Sequence, residues 1–272
     1  MKSEKINTVT FETVGEFLAD SQKATHHDSH AEGNKRFSGT ETFAEAVDLA
    51  TNGWSDGTKR INVLRAQLTD FVSRAVAAKS KSLNWDVTGD FLDVGRYLNG
   101  EPEVFGSYEA DGEQAVAKVT KIVANVSAIG SVQSESIFSA GAAIFAAVDL
   151  LESLGHRVEL WLGSGSTLHT GKRLQVLVKL KDASQPVDSD RLAFFLAHNA
   201  SLRRIFFSTE CQRGFYPSSS RTTKLELNDG SIVTPEVSYA DTTQSRRIER
   251  VLEVCRAVGV EFTADELAEI TA

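Results

Sequence analysis

The sequence predicts a mixed α/β protein: a mostly parallel open sheet flanked by helices, behind a helical N-terminal region. Three observations predict it. From Lys118, KVTKIVANVSAI is a β-rich run, SIFSAGAAIFAAVDLLESLG is an apolar helix ending at Gly155, and RVELWLG is a second strand, which together make a βαβ unit. The helix carries Ile137, Phe138, Ile144, Phe145, Val148, Leu150, Leu151 and Leu154 on more than one face, so it is expected between a sheet and a further layer. Ahead of this unit, the pattern between about Thr42 and Lys79 is helical.

In chain order, residues 7–22 read as a short strand and a helix, and QKATHHDSHAEGNKR as a polar loop. A helix from Thr42 to Asn52 closes at Gly53, and a second from Asp56 to Lys79 places Ile61, Leu64, Leu68, Phe71, Val72 and Val76 at helical spacing. WDVTGDFLDVGRYLNGEPEVF reads as a short helix between two turns. After the βαβ unit, GSGSTLHTG is expected to be a loop, and KRLQVLVKLK to pair back on RVELWLG as an antiparallel edge hairpin. A helix over Ser189–His198, a strand near Arg204–Ser208, a hairpin in TTKLELNDGSIV about Asp229-Gly230, and a helix from Thr242 to Val258 complete the chain. A boundary near residue 110 would separate a mainly helical region, 1–110, from an α/β region with an acidic end, 111–272; one continuous domain is the alternative.

Composition narrows the class. The chain has 272 residues, 41% of them hydrophobic, and a formal charge of -8, enough to bury a sizeable core. Its start, MKSEKINTVTFE, lacks the apolar core of a signal peptide, and no uninterrupted apolar run approaches the roughly 18 residues of a membrane span. A cytoplasmic protein without a membrane partner is expected. Cys211 and Cys255 are too few and too far apart for a disulfide framework or a zinc site, so both are expected reduced, with Cys255 buried.

Against that acidic total, HNASLRRIFFSTECQRGFYPSSSRTTK (His198–Lys224) gathers Arg203, Arg204, Arg213, Arg221 and Lys224 among Phe206, Phe207, Phe215 and Tyr216, with Glu210 its only acid. Interleaved guanidinium and aromatic groups suit phosphates and stacked bases, which points to single-stranded DNA as a partner. Arg203, Arg204, Arg213, Arg221, Lys224, Arg246 and Arg247 would hold phosphates, and Phe215 and Tyr216 would stack on bases. The competing reading makes Phe206 and Phe207 part of a buried strand with arginines as its flanks. Arg246, Arg247 and Arg250 on the last long helix would extend the groove or be simply solvated. Beyond them Glu261, Asp265, Glu266 and Glu269 form an acidic end, either a mimic of nucleic acid or a short amphipathic helix docked through Phe262, Leu267 and Ile270.

Enzyme chemistry finds little support. GSGSTLHTGK fails as a phosphate loop, because Ser166 and Arg173 stand where Gly and Ser or Thr are needed and a strand follows. His26, His27 and His30 lack a Cys partner, and Asp86, Asp90, Asp93, Glu101 and Glu103 sit among caps and turns. No GxSxG elbow is present. No catalytic activity, cofactor or resident metal is expected; a metal enzyme built on the Asp86–Glu103 carboxylates is the remote alternative.

Two resemblances bear on function. The β-loop-helix opening at Ala124–Ser139 resembles the von Willebrand A domain, whose first strand ends in an Asp-x-Ser-x-Ser metal loop; NVSAIGSVQSES has Asn125 in place of that Asp, which implies the core without the metal site. The size, the acidic end, the basic and aromatic strip, GWSDG (Gly53–Gly57) and DFLDVGRYLNGEPEVF (Asp90–Phe105) resemble the single-stranded-DNA-binding RNA-polymerase cofactors of enquatro-type bacteriophages, the Drc-like group. That resemblance implies a fold distinct from the common oligonucleotide barrel, sequence-nonspecific single-strand binding in the host bacterial cytoplasm, and help in transcription or replication to a phage RNA polymerase as protein partner. The alternative is a von Willebrand A-like protein-binding adaptor that does not bind nucleic acid. Self-association is left open by the sequence.

Overall fold

In chain order the elements are β1 (Ile6–Phe11), α1 (Val14–Ser21), α2 (Lys35–Ser38), α3 (Phe43–Asn52), α4 (Ser55–Lys79), β2 (Leu83–Asp86), β3 (Phe91–Leu92), α5 (Val94–Leu98) and β4 (Phe105–Tyr108). They continue with β5 (Val119–Asn125), α6 (Ser134–Ser153), β6 (Arg157–Leu168), β7 (Arg173–Lys181), α7 (Ser189–Ala197), α8 (Phe207–Cys211), β8 (Ser220–Thr222), β9 (Ile232–Val233), α9 (Gln244–Val258) and α10 (Ala264–Thr271). The computed structural model describes residues 6–23, 34–79, 83–88, 91–92, 94–108, 119–185, 188–216 and 220–271. The expected loop histidines, Asp90, Asp93 and the boundary near residue 110 lie outside them.

A six-stranded open sheet has the order β1-β7-β6-β5-β9, with β8 paired to β6. The pairs β1/β7, β5/β6 and β5/β9 are parallel, and β6/β7 and β6/β8 antiparallel. The fold class is therefore the mixed, mostly parallel sheet that the βαβ pattern predicts. Alternation along the strands divides its faces. Ile122, Ala124, Val158, Leu160, Leu162, Leu174, Val176 and Val178 join the helices in one core, whereas Val123, Trp161 and Leu177 pack with Leu225, Leu227 and Val233 on the other side.

Helix α6 is buried on nearly every side between the sheet and α4, α7 and α9. It is the one helix among the described residues long and apolar enough to cross a membrane, and 83% of its apolar window is buried inside this fold. A Cβ on its Gly141 would come 2.5 Å from the Leu196 carbonyl oxygen, so glycine sets the close approach of α6 to α7. Local signals fix the other helices. Thr42 caps α3 by accepting from the Glu45 amide at 3.1 Å, and Gly53 ends it at φ 89°. Trp54 then locks GWSDG onto α7, its amide donating to the Asp190 carbonyl and its ring meeting His198 edge-on at 4.4 Å.

Several expectations are corrected. The strand expected near Arg204–Ser208 is instead a π-helical segment, Ser201–Phe206, running into α8. GSGS is not loop but the second half of β6: Gly163 and Gly165 admit the chain at Leu225 and Thr223, where any Cβ would collide. β7 is not an edge, because β1 covers it. TTKLELNDGSIV forms no hairpin with itself; β8 joins β6, and β9 joins β5. The segment around α5 adds a small three-stranded sheet of order β2-β4-β3. Of the two readings of the acidic end, the docked helix is the one found: α10 packs on α4, with Phe262 and Leu267 against the core.

Candidate functional site

In open α/β sheets, ligands bind outside the carboxyl ends of strands where the chain path changes direction. Here that point is the end of β5, which leads through residues 126–133 and α6 to β6 on one side and has β9 on the other. A polar knot closes it. The Asn125 amide donates to Thr234 Oγ1 at 3.0 Å, Asn125 Oδ1 accepts from the Ser127 amide at 3.1 Å, and Ser127 Oγ accepts from the Gly165 amide at 3.0 Å. All three side chains are buried. Asn125 is thus occupied with backbone, and no carboxylate belongs to the knot.

Two pockets flank the loop. One, of 470 Å³, lies between Asn34–Phe37 and residues 130–135, with buried Arg203 in its lining. The other, of 450 Å³, lies between Phe37, residues 128–130, Phe207 and β8, with Ser166 and Glu210 as its buried polar lining. Phe37 and Gly130 line both. Ile129, in the lining of the second, is 49% exposed.

Glu210 is the unusual group. Its Oε1 accepts from Ser164 Oγ and its Oε2 from Ser166 Oγ, each at 2.7 Å. Burial pushes this carboxyl above the ordinary range, and the two hydroxyls only partly counter it. No ion pair to Glu210 is formed among the described residues, although most buried carboxylates have one.

The basic strip lies mostly inside the protein. Arg203 Nη1 donates to the Phe37 carbonyl at 2.8 Å, and Nη2 to those of Val132 at 2.6 Å and Gly130 at 3.3 Å. Arg204, fully buried, holds the Thr40 and Glu41 carbonyls at 2.9 and 3.1 Å. Burial lowers the pKa of both, that of Arg203 to about 10. Arg213 Nη1 pairs with Asp20 at 2.9 Å and donates to the Thr209 carbonyl. Arg247 is buried on Ser139 and the Thr242 carbonyl, and Arg250 forms a buried ion pair with Asp241. Phe206 and Phe215 belong to the core. Arg246 is held by Glu249 at 2.8 Å and Glu253 at 3.1 Å. Tyr216, Arg221 and Lys224 stay exposed.

Arg203, Arg204, Phe215 and Arg247 are thus corrected from a surface groove to internal positions. Phe215 is drawn into the apolar core, and for the arginines the reason is that the end of α2, residues 39–41 and residues 130–132 leave carbonyls without ladder partners, to which a guanidinium offers five donors. Among the described residues no group of three or more His, Cys, Asp or Glu is placed to hold a metal. Asp86 accepts from the Val87 amide at 2.6 Å, and Arg96 bonds the Glu101 carboxylate and the Glu103 carbonyl, so the carboxylates of Asp86 and Glu101 serve their own turns.

A family model described as a domain of unknown function, DUF7192, matches residues 2–261. The chain belongs to this family. Comparison with curated proteins and with solved structures finds no match. The DUF7192 match runs through both the helical N-terminal part and the α/β part, and side chains of both, from Phe17 and Ile61 to Ile144 and Val176, share one core.

Sequence reasoning missed Ser164, Ser166 and Ile129 as site residues. One signal was present: Glu210 is the only acid of the basic strip, and Ser164 and Ser166 stand two apart in what proves to be strand, hence on one face.

Proposed function

We propose that this DUF7192 chain is a protein-binding adaptor whose reading face is the carboxyl end of β5, on a core similar to that of a von Willebrand A domain but without its metal loop. One observation carries this reading. The Asn125–Ser127–Thr234 knot of that edge is satisfied internally, while the exposed apolar Ile129 lines a pocket of 450 Å³ that shares Phe37 and Gly130 with a second of 470 Å³. An exposed apolar group rimmed by concave surface is what a protein contact uses. Cys211 and Cys255 are buried and not in a disulfide, which suits the reducing cytoplasm. Under the resemblance to the phage cofactors, the partner is a phage-encoded RNA polymerase.

The test is a photo-crosslinking side chain at Ile129, with control positions Val119 and Leu98, which are also exposed. The adaptor reading expects one discrete protein adduct from residue 129 in the native host and none from the controls. Equal labelling at all three positions contradicts it. Single-stranded DNA is the second reading, favoured by Tyr216, Arg221 and Lys224, which remain exposed on and around β8.

A further inference from the structure

We infer that the pocket over Glu210 takes a basic side chain, arginine or lysine, from the partner protein. This rests on the adaptor reading and names the chemistry of its recognition site.

The pocket joins two kinds of surface. Phe37, Ile129 and Phe207 supply hydrocarbon walls, and Glu210 with Ser166 supplies a polar floor. The Glu210 carboxylate is enclosed, receives two neutral hydroxyl donors, and has no cation paired with it among the described residues. A carboxylate has about four acceptor directions, and the two serines use two. An alkyl stem tipped by a guanidinium or ammonium group completes both: the stem lies along the apolar walls, and the charge bonds the carboxylate.

A hard divalent cation fits less well. Magnesium and calcium want several oxygen ligands, usually with more than one carboxylate, and Glu210 is the only carboxylate in this pocket's lining. Arg221 also lines the pocket, but its side chain is exposed, where solvent and salt screen its repulsion of an entering cation.

The probe is n-butylguanidinium chloride, titrated into the full chain by calorimetry, with butan-1-ol and magnesium chloride as controls. Saturable binding of butylguanidinium is expected, with no saturable binding of either control. Glu210→Gln keeps the shape and the serine partners, and should weaken binding at least about ten-fold, the scale of one charge-assisted hydrogen bond. Ile129→Trp, at an exposed position, leaves Glu210 in place and should weaken binding by narrowing the entrance, which keeps the test open even if Glu210→Gln unfolds. Arg221→Gln should bind as tightly as the wild type or more so.

No saturable binding by the wild type, equal binding by wild type and Ile129→Trp, or magnesium displacing the probe would each overturn the inference. Its failure is separable from that of the adaptor reading. A protein adduct from residue 129 without butylguanidinium binding keeps the adaptor and removes the basic side chain, and binding without an adduct does the reverse.

Discussion

The guanidinium of Arg203 lies 4.1 Å from the centre of the Phe37 ring and donates to the Phe37 carbonyl at 2.8 Å. It also holds the carbonyls of Gly130 and Val132. One side chain therefore ties the segment before α3 to the loop after β5, and Phe37 and Gly130 line both pockets. The Arg203 cation that suggests nucleic acid in sequence is engaged by a ring and three carbonyls inside the fold.

Arg203→Lys replaces a planar fork by a point charge and leaves at least one of these carbonyls without a donor. Urea unfolding should show a loss of at least about 2 kcal/mol, the cost of stranding buried polar groups. Unchanged stability would mean that the carbonyls find other donors.

Arg250 and Asp241 are each 1% exposed and joined by bonds of 2.9–3.1 Å, while Arg250 also takes the Pro235 and Glu236 carbonyls. Removing one member strands the other. Asp241→Ala should therefore cost about 3–5 kcal/mol in chemical denaturation, far more than Glu249→Ala on the surface of the same region. Equal losses would contradict the buried pair.

Burial lowers the His198 pKa to about 4, opposed only in part by the Glu45 charge. Between about 6.5 and 4 the unfolded chain then binds more protons than the folded one, so stability falls as pH drops through that window. His198→Gln should flatten this slope, removing about 2 kcal/mol of the pH dependence once partial exposure is discounted. Parallel stability profiles for wild type and variant would place His198 in solvent.

Glu210 behaves with the opposite sign. Its folded pKa stands above the ordinary 4.5, so the folded chain binds a proton there more readily than the unfolded chain does, and stability is lost as pH rises above that value. The stability of wild type relative to Glu210→Gln should fall as pH rises above the ordinary carboxyl range, read from urea midpoints. A constant difference would mean that the carboxylate is ionised with a hidden partner.

Periodicity and caps made the fold class legible. Thr42 and Gly53 bound α3, and the β5–α6–β6 unit is parallel as its pattern requires. The π-helical segment was not legible, because Ile205, Phe206 and Phe207 form a short apolar run whose period is ambiguous between strand and helix. Gly163 and Gly165 misled for a different reason. Their role is steric, against Leu225 and Thr223 some sixty residues later, and no local rule contains that contact. The same holds for the arginines: Arg203 and Arg204 are bound by carbonyls more than 160 residues away in the chain, beyond the reach of spacing. Tyr216 and Arg221, which the groove reading needs at the surface, are exposed, Arg221 within the short strand β8.

The central claim is that the basic strip serves the fold and that the end of β5 serves a protein partner. A titration of a fluorescent single-stranded oligonucleotide at two salt concentrations tests it most directly. With most of the strip's cations engaged internally, the account predicts no tight, salt-steep binding by the folded protein. Tight binding that falls steeply with salt, and that Tyr216→Ala weakens about ten-fold, would contradict it and return the function to single-stranded DNA.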